Sequence, residues 1–197
     1  MTGKALLQFL HTAELLKCRT RHSYNSDGRR ESVAEHSWRI ALMADLLREE
    51  FPALDMDRVV TMCLFHDLGE AVTGDIPTFE KTGRDEDVEE RAIFGLLSTL
   101  PEPDRGRLER LFREMLALET PEAKLYKALD KLEAVISHNE GPIGTWLPLE
   151  YDLQRTYGWK EAAFAPCLTE LRQLILQETE EKIKAESGRK DSSLRSE

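Results

Sequence analysis

The sequence predicts an all-α bundle of about six or seven helices. Three observations carry this. Apolar residues recur at helical spacing along most of the chain, as at 6, 9, 10, 13 and 16 of ALLQFLHTAELLK. Helix-start signals precede these runs: Ser32 with Glu35 three residues on, and Thr120 followed by Pro121. No stretch reads as a convincing strand, and no internal repeat or domain linker interrupts the chain. With 197 residues, 41% hydrophobic and 32% charged, the composition suits one compact domain. That domain is expected over residues 1–186, followed by a disordered tail, 187–197, whose one apolar residue is Leu194.

Taken in order, residues 5–17 form the first helix, and RTRHSYNSDGRR (19–30) is a loop, with Asn, Ser, Asp and Gly and no apolar period. The Ser32 capping box opens a second helix whose apolar stripe, 33, 40, 44 and 47, includes His36 at helical spacing, so His36 points inward. DMDRVVTMCLFHDLGEAV reads as one continuous third helix, capped by Asp55 or Asp57 and ended by Thr73-Gly74. A loop covers 75–84. A helix over about 86–100 stops at Pro101 and Pro103, and DRGRLERLFREMLALE forms the next. Thr120-Pro121 begins PEAKLYKALDKLEAVISHN. The following EGPIGTWLPLEYDLQRTYG is mostly loop or short helix, and a last helix covers about 160–185.

Composition excludes several function classes. A formal net charge of −10 argues against wholesale binding of nucleic acid, which depends on neutralising phosphates. A small anionic substrate could still be held by the basic cluster Arg19, Arg21, Arg29, Arg30 and Arg39. No run approaches the roughly 18–20 apolar residues of a membrane helix. His11 and Glu14 interrupt the place where a signal peptide would stay apolar. The three scattered cysteines read as reduced thiols of a cytoplasmic protein.

The chemistry concentrates in FHDLGEAVTGDIP (65–77), where one histidine and three carboxylates are bracketed by apolar residues. Buried charges are costly unless paired or bound to a metal. Neighbours on a helix diverge by about 100°, yet His66 and Asp67 can both reach one ion above the ridge between them. Imidazole and carboxylate suit divalent first-row metals. Further ligands must come from elsewhere: inward-facing His36 is the natural candidate, with His138 and the carboxylates of the 120–139 helix as others. A histidine on a core stripe can also be merely hydrogen-bonded, and His138 can be a helix C-terminal residue favoured by the dipole. Cys63, three residues before His66, lacks the second cysteine pair of a structural zinc site and reads as a buried thiol.

The segments ESVAEHSW, FHDLGEAVTGDIPTF and KALDKLEAVISH together resemble the HD-domain phosphohydrolase superfamily, and within it the HD-domain 5′-deoxynucleotidases, over roughly residues 5–140. The resemblance implies a helical HD domain that holds one divalent metal on His36, His66, Asp67 and Asp130; sequence does not choose among Mn, Co, Mg, Zn, Fe and Ni. It makes Glu70 and Asp75 the catalytic carboxylates and Arg21 a substrate contact, with Arg19, Arg39 and Lys81 as secondary candidates. It also suggests a homodimer acting on a small-molecule nucleoside monophosphate. Periodicity alone places Asp130 about 150° from the aliphatic face of its helix, beside Tyr126, Glu133 and Ser137, where it would be a solvated carboxylate. If it is instead a ligand, that helix is buried on both sides.

The implied reaction is hydrolysis of a (deoxy)nucleoside 5′-monophosphate to nucleoside and phosphate. The chain departs from the family pattern after Arg21: a Trp stands there in deoxynucleotidases of this type, and His22 stands here, which bears on selection of the sugar. The alternatives are an HD phosphohydrolase of another phosphomonoester or nucleotide analogue, and a non-catalytic nucleotide-sensing module.

Overall fold

The computed structural model describes the backbone of residues 1–194 and the side chains of residues 1–188. The α-helices are α1 (Gly3–Ala13), α2 (Val33–Leu46), α3 (Met56–Phe65), α4 (Glu70–Thr73), α5 (Gly83–Leu97), α6 (Asp104–Ala117), α7 (Pro121–Glu140), α8 (Glu150–Thr156), α9 (Trp159–Ala162) and α10 (Pro166–Leu194). The expected all-α class holds; the larger number of helices arises because α4, α8 and α9 are pieces of one or two turns. Among the described residues no helix is long and apolar enough to cross a membrane.

Two expectations in the first half of the chain are corrected. The 19–30 segment contains strands β1 (Thr20–Tyr24) and β2 (Arg30–Ser32), which pair as a two-stranded sheet. Their connection is a tight turn in which Asn25 O accepts from Gly28 N at 2.9 Å, with Gly28 at φ 84°. The strands escaped the sequence reading because they are too short and too rich in Arg, His and Ser to alternate visibly. The third helix is also not continuous. α3 ends at Phe65, and residues 66–69 turn before α4 begins at Glu70. Asp67 and Gly69 are poor interior helix formers. Here the hydrogen bonds tighten to three-residue spacing: Leu68 N to Phe65 O at 3.0 Å, Glu70 N to Asp67 O at 2.9 Å and Val72 N to Gly69 O at 2.9 Å.

The backbone divides into two compact units, residues 1–22 with 30–126, and residues 23–29 with 127 onward. In the first, α2 packs along α3, and Val33, Ile40, Ala44, Val59, Met62 and Cys63 have no exposed surface. The α2 start is built as its sequence predicts: Ser32 Oγ accepts from Glu35 N at 3.2 Å and Glu35 Oε2 accepts from Ser32 N at 2.8 Å. Asp55 caps α3, accepting from Arg58 N at 3.0 Å. α4 packs closely on α5: a Cβ built on Gly69 would lie 2.7 Å from Ile93 Cγ1. Gly74, at φ 79°, ends α4 as expected.

In the second unit, Leu129, Leu132, Ala162 and Leu168 are fully buried. Gln154, Asn139 and Thr179 form a buried polar chain, with Gln154 Nε2 donating to Asn139 Oδ1 at 3.0 Å and Asn139 Nδ2 to Thr179 Oγ1 at 3.0 Å. On α7 the aliphatic residues Leu125, Ala128 and Leu129 are buried, and so are Tyr126, Glu133 and Ser137 on the opposite side. The Asp130 side is therefore not the solvated face that periodicity alone suggests. α10 continues to Leu194, through positions 187–194 assigned from sequence to a disordered tail. That expectation rested on missing apolar residues, which does not forbid a polar, proline-free helix. Residues 195–197 of the expected tail lie outside the described residues.

Candidate metal centre

The cluster lies in the first unit and begins with local hydrogen bonding. His66 stands at the C-terminal end of α3, its amide bonded to Met62 O at 2.9 Å. Its ring Nδ1 is 2.9 Å from the carbonyl oxygen of Cys63. A carbonyl can only accept, so Nδ1 carries the hydrogen and Nε2 of the neutral ring presents a lone pair. That Nε2 lies 3.0 Å from Asp67 Oδ2. His36, buried on α2, places its Nε2 3.8 Å from the same Asp67 oxygen, and the two imidazole centroids are 5.3 Å apart. A donor atom from each of His36, His66 and Asp67 lies within 4.8 Å of the other two. Two imidazole nitrogens approaching one carboxylate oxygen at these distances match what a cation asks of its ligands, and the nitrogen and oxygen donors suit a divalent first-row metal. The hydrogen bond that fixes the His66 tautomer is the outer support expected of a metal-binding imidazole.

The tightened turn after α3 sets the next carboxylate. At three residues per turn, side chains three apart eclipse. Glu70 therefore stands over Asp67, not over His66 as a regular helix would have it. Asp67, Glu70 and Glu89 of α5 have carboxylate oxygens within 4.8 Å of one another. Glu70 is buried, and its Oε2 has no hydrogen-bond partner among the described residues. Burial, then the negative charges of Asp67, Asp75 and Glu89, push its carboxyl up to about 10 against the pull of Arg21. Asp75, one residue past Gly74, is raised as well, chiefly by burial, with Arg21 opposing. In the chain without a cation the Glu70 carboxyl is thus poised to hold a proton.

The basic residues divide. Arg21, on β1, lies near enough to Glu70 and Asp75 for its charge to act on both, and it pairs with Glu31 of β2 at 2.9 Å. Arg19 is exposed and reaches Ala71 O at 3.5 Å. Burial lowers the Lys81 ammonium, but its hydrogen bond to Glu89 and the charges of Glu70 and Asp67 leave it raised overall. Arg39 is half-buried on α2. The His22 ring meets Phe79 edge-on, centroids 5.6 Å apart.

The structure thus brings His36, His66, Asp67, Glu70, Asp75, Arg21 and Lys81 into one region of the first unit. Asp130 belongs to the second unit, where its carboxylate accepts from Lys127 Nζ at 2.7 Å and its side chain is 16% exposed. His138, also considered a ligand, is instead stacked on Trp146 at 4.8 Å in that unit. Cys63 is buried and not disulfide-bonded, as expected. Two carboxylates of the cluster were missed. Glu31 carries no signal beyond its place beside the cap residue Ser32, and Glu89 looks like any charge on an acidic helix.

Comparison with known proteins follows the same lines. The family model described as "HD domain" matches residues 13–172. The chain is 35% identical over 142 residues to the 5′-deoxynucleotidase HDDC2 of Homo sapiens, covering 70% of this chain and 69% of that protein. It is 36% identical over 147 residues to the protein of the same name from Bos taurus, covering 71% of each. Among solved structures it is similar to a predicted metal-dependent phosphohydrolase from Magnetospirillum magnetotacticum, with TM-score 0.76 and 29% identity over 91% of this chain and 93% of that one.

Proposed function

Since the chain belongs to the HD-domain family, we propose that it is a metal-dependent phosphomonoesterase that hydrolyses deoxynucleoside and nucleoside 5′-monophosphates to nucleoside and inorganic phosphate. The observation that carries this reading is the convergence of His36 and His66 on one oxygen of Asp67, with buried Glu70 stacked above it. The names of the relatives support the substrate class.

His36, His66 and Asp67 would hold one divalent cation. Asp130 would be the fourth ligand by its position in the family's ligand order alone. When bound, the cation supplies Lewis acidity toward a phosphoryl oxygen and the attacking water. Arg21 grips the phosphate, whose oxygens match the guanidinium fork. Water oxygen bonds to phosphorus as the bond to the 5′ oxygen breaks, and one proton must pass from the water side to the leaving oxygen. Glu70 is the group we assign to that exchange: it is next to Asp67, is buried away from bulk water, and has a carboxylate oxygen with no hydrogen-bond donor among the described residues. Asp75, beside Arg21, is the second catalytic carboxylate, at the edge of the sugar and phosphate. His22, backed by Phe79, faces the sugar in this reading, while Arg19 and Lys81 contribute positive charge at the rim.

A non-catalytic sensor has no need of a buried carboxylate of raised proton affinity beside the ligands, which favours the enzyme. Cys18, Cys63 and Cys167 are not disulfide-bonded, which favours residence in the cytoplasm. The exposed apolar row Trp38, Leu42 and Leu46 on α2 favours a homodimer, which sedimentation of the purified chain tests. Phosphate release from a panel of phosphomonoesters with several divalent metals tests the function: turnover of nucleoside 5′-monophosphates supports it, and turnover of other phosphomonoesters alone replaces it.

A further inference from the structure

We infer that Glu31 is a positioning residue for substrate phosphate, acting through Arg21; this rests on the assignment of Arg21 to the phosphate. The hairpin register is the starting point. Val33 N donates to Arg19 O at 3.0 Å at the open end of the hairpin, and Asn25 N donates to Arg29 O at 2.7 Å at its turn, which brackets Arg21 of β1 and Glu31 of β2 between them. Their side chains meet across the strands, Arg21 Nη1 donating to Glu31 Oε2 at 2.9 Å.

This is not a surface ion pair. The Glu31 side chain is 4% exposed and the Arg21 side chain 14%. A carboxylate buried this deeply is retained only with a charged or hydrogen-bonding partner. The guanidinium is also close enough to Glu70 and Asp75 for its charge to act on both carboxyls. An arginine on a flexible stem between three carboxylates would fold onto whichever lay closest. Glu31 anchors one Nη from the opposite strand, and so leaves the planar fork at a set angle and depth. A Glu31 oxygen also lies within 4.8 Å of a His36 ring nitrogen. The next residue, Ser32, caps the helix that carries His36. Glu31 thereby ties the arginine to the same short stretch of backbone that places a metal-centre histidine. A phosphate held by both arginine and cation needs that spacing constant.

The experiment is a double-mutant cycle in the full chain, reading dAMP hydrolysis with Mn²⁺, inhibition by inorganic phosphate, and bound metal by elemental analysis. Glu31→Gln should raise KM and the phosphate inhibition constant about tenfold with kcat little changed, the pattern of lost uniform binding. Metal content should be unchanged. In the Arg21→Ala background, Glu31→Gln should add less than about a twofold effect, because the two residues act as one unit. Should Glu31→Gln not fold, Glu31→Asp, which keeps the charge and shortens the reach, should give the same KM-weighted loss. Equal losses from the Glu31 variants in both backgrounds, or a loss of kcat at constant KM, would overturn the role of Glu31 alone. An Arg21→Ala chain with wild-type KM and phosphate inhibition would overturn the phosphate assignment on which it rests.

Discussion

His66 Nε2 stands 3.0 Å from Asp67 Oδ2 while the Nδ1–H of the same ring donates to the Cys63 carbonyl. A largely buried carboxylate facing an imidazole lone pair at this distance is stabilised by a cation held between them. Asp67→Ala should therefore abolish stoichiometric metal binding, since it removes the oxygen on which both imidazoles converge. Elemental analysis after dialysis against Mn²⁺ checks this; full metal occupancy in Asp67→Ala would move the centre elsewhere.

Glu70→Gln separates binding from chemistry. The amide keeps the volume and the stacking over Asp67 but cannot exchange a proton. Metal content should persist while turnover falls by about 10²-fold or more, the usual scale for a lost acid–base group. Turnover close to wild type would make Glu70 a packing residue.

Gly69 is the close-approach point that lets α4 lie against α5. Gly69→Ala would place a methyl 2.7 Å from Ile93 Cγ1 and 3.1 Å from Glu89 O. It should destabilise the chain by about 1–3 kcal/mol, as overpacking typically does. It should also cost activity by shifting Glu70, the next residue. Ile93→Val in the same chain should recover part of both, by denaturant titration and by rate. An unchanged midpoint would mean that α5 gives way freely.

The raised Glu70 carboxyl predicts a pH dependence of stability in chelator-treated protein. Its folded value, about 10, lies above the 4.5 of an ordinary glutamate. Between these values the folded chain retains a proton that the unfolded chain has released. The contribution is present at and below about pH 4.5 and is lost as pH rises through about 10, so stability should fall with pH across that window. Thermal unfolding at pH 6 and pH 9 should show a smaller drop for Glu70→Gln than for wild type. A divalent cation should flatten the wild-type curve by offsetting the carboxylate charge. Identical slopes for wild type and Glu70→Gln would place the titration in other groups.

Under the proposed function His22 faces the sugar, in place of a tryptophan large enough to fill the space of a 2′-hydroxyl. Rejecting a group that only adds a hydroxyl is worth about 10²-fold in an apolar pocket. An imidazole removes volume and can hydrogen-bond to it. The wild-type preference for dAMP over AMP should thus be below roughly tenfold and should rise in His22→Trp, read as kcat/KM for the pair. The edge contact with Phe79 gives the larger ring a surface to rest on. A strong deoxy preference in wild type, unaltered by the tryptophan, would assign selectivity to other residues.

Much of this site was legible before any coordinates. The Ser32–Glu35 box and the apolar stripe around His36 oriented that histidine inward, and burial of His36 follows. The pairing of His66 with Asp67 needed only their adjacency. The relation of Glu70 to Asp67 was not legible, because a 3.6-residue period relates Glu70 to His66, and only the tightened turn at 66–69 stacks it on Asp67. Glu31 was invisible for a similar reason: three residues of strand carry too little pattern to pair one arginine with one glutamate across a turn. Asp130 drew opposite readings from periodicity and from resemblance, and the burial of Tyr126, Glu133 and Ser137 removes the case for a solvated face.

The most direct test is phosphate release from dAMP by chain stripped of metal with a chelator, before and after adding back Mn²⁺ or Co²⁺, with Asp67→Ala in parallel. The stripped chain should release no phosphate, adding the cation should restore turnover, and Asp67→Ala should release none under either condition. Undiminished hydrolysis by the stripped chain, or equal rates for wild type and Asp67→Ala, would contradict a metal-dependent reaction at this centre.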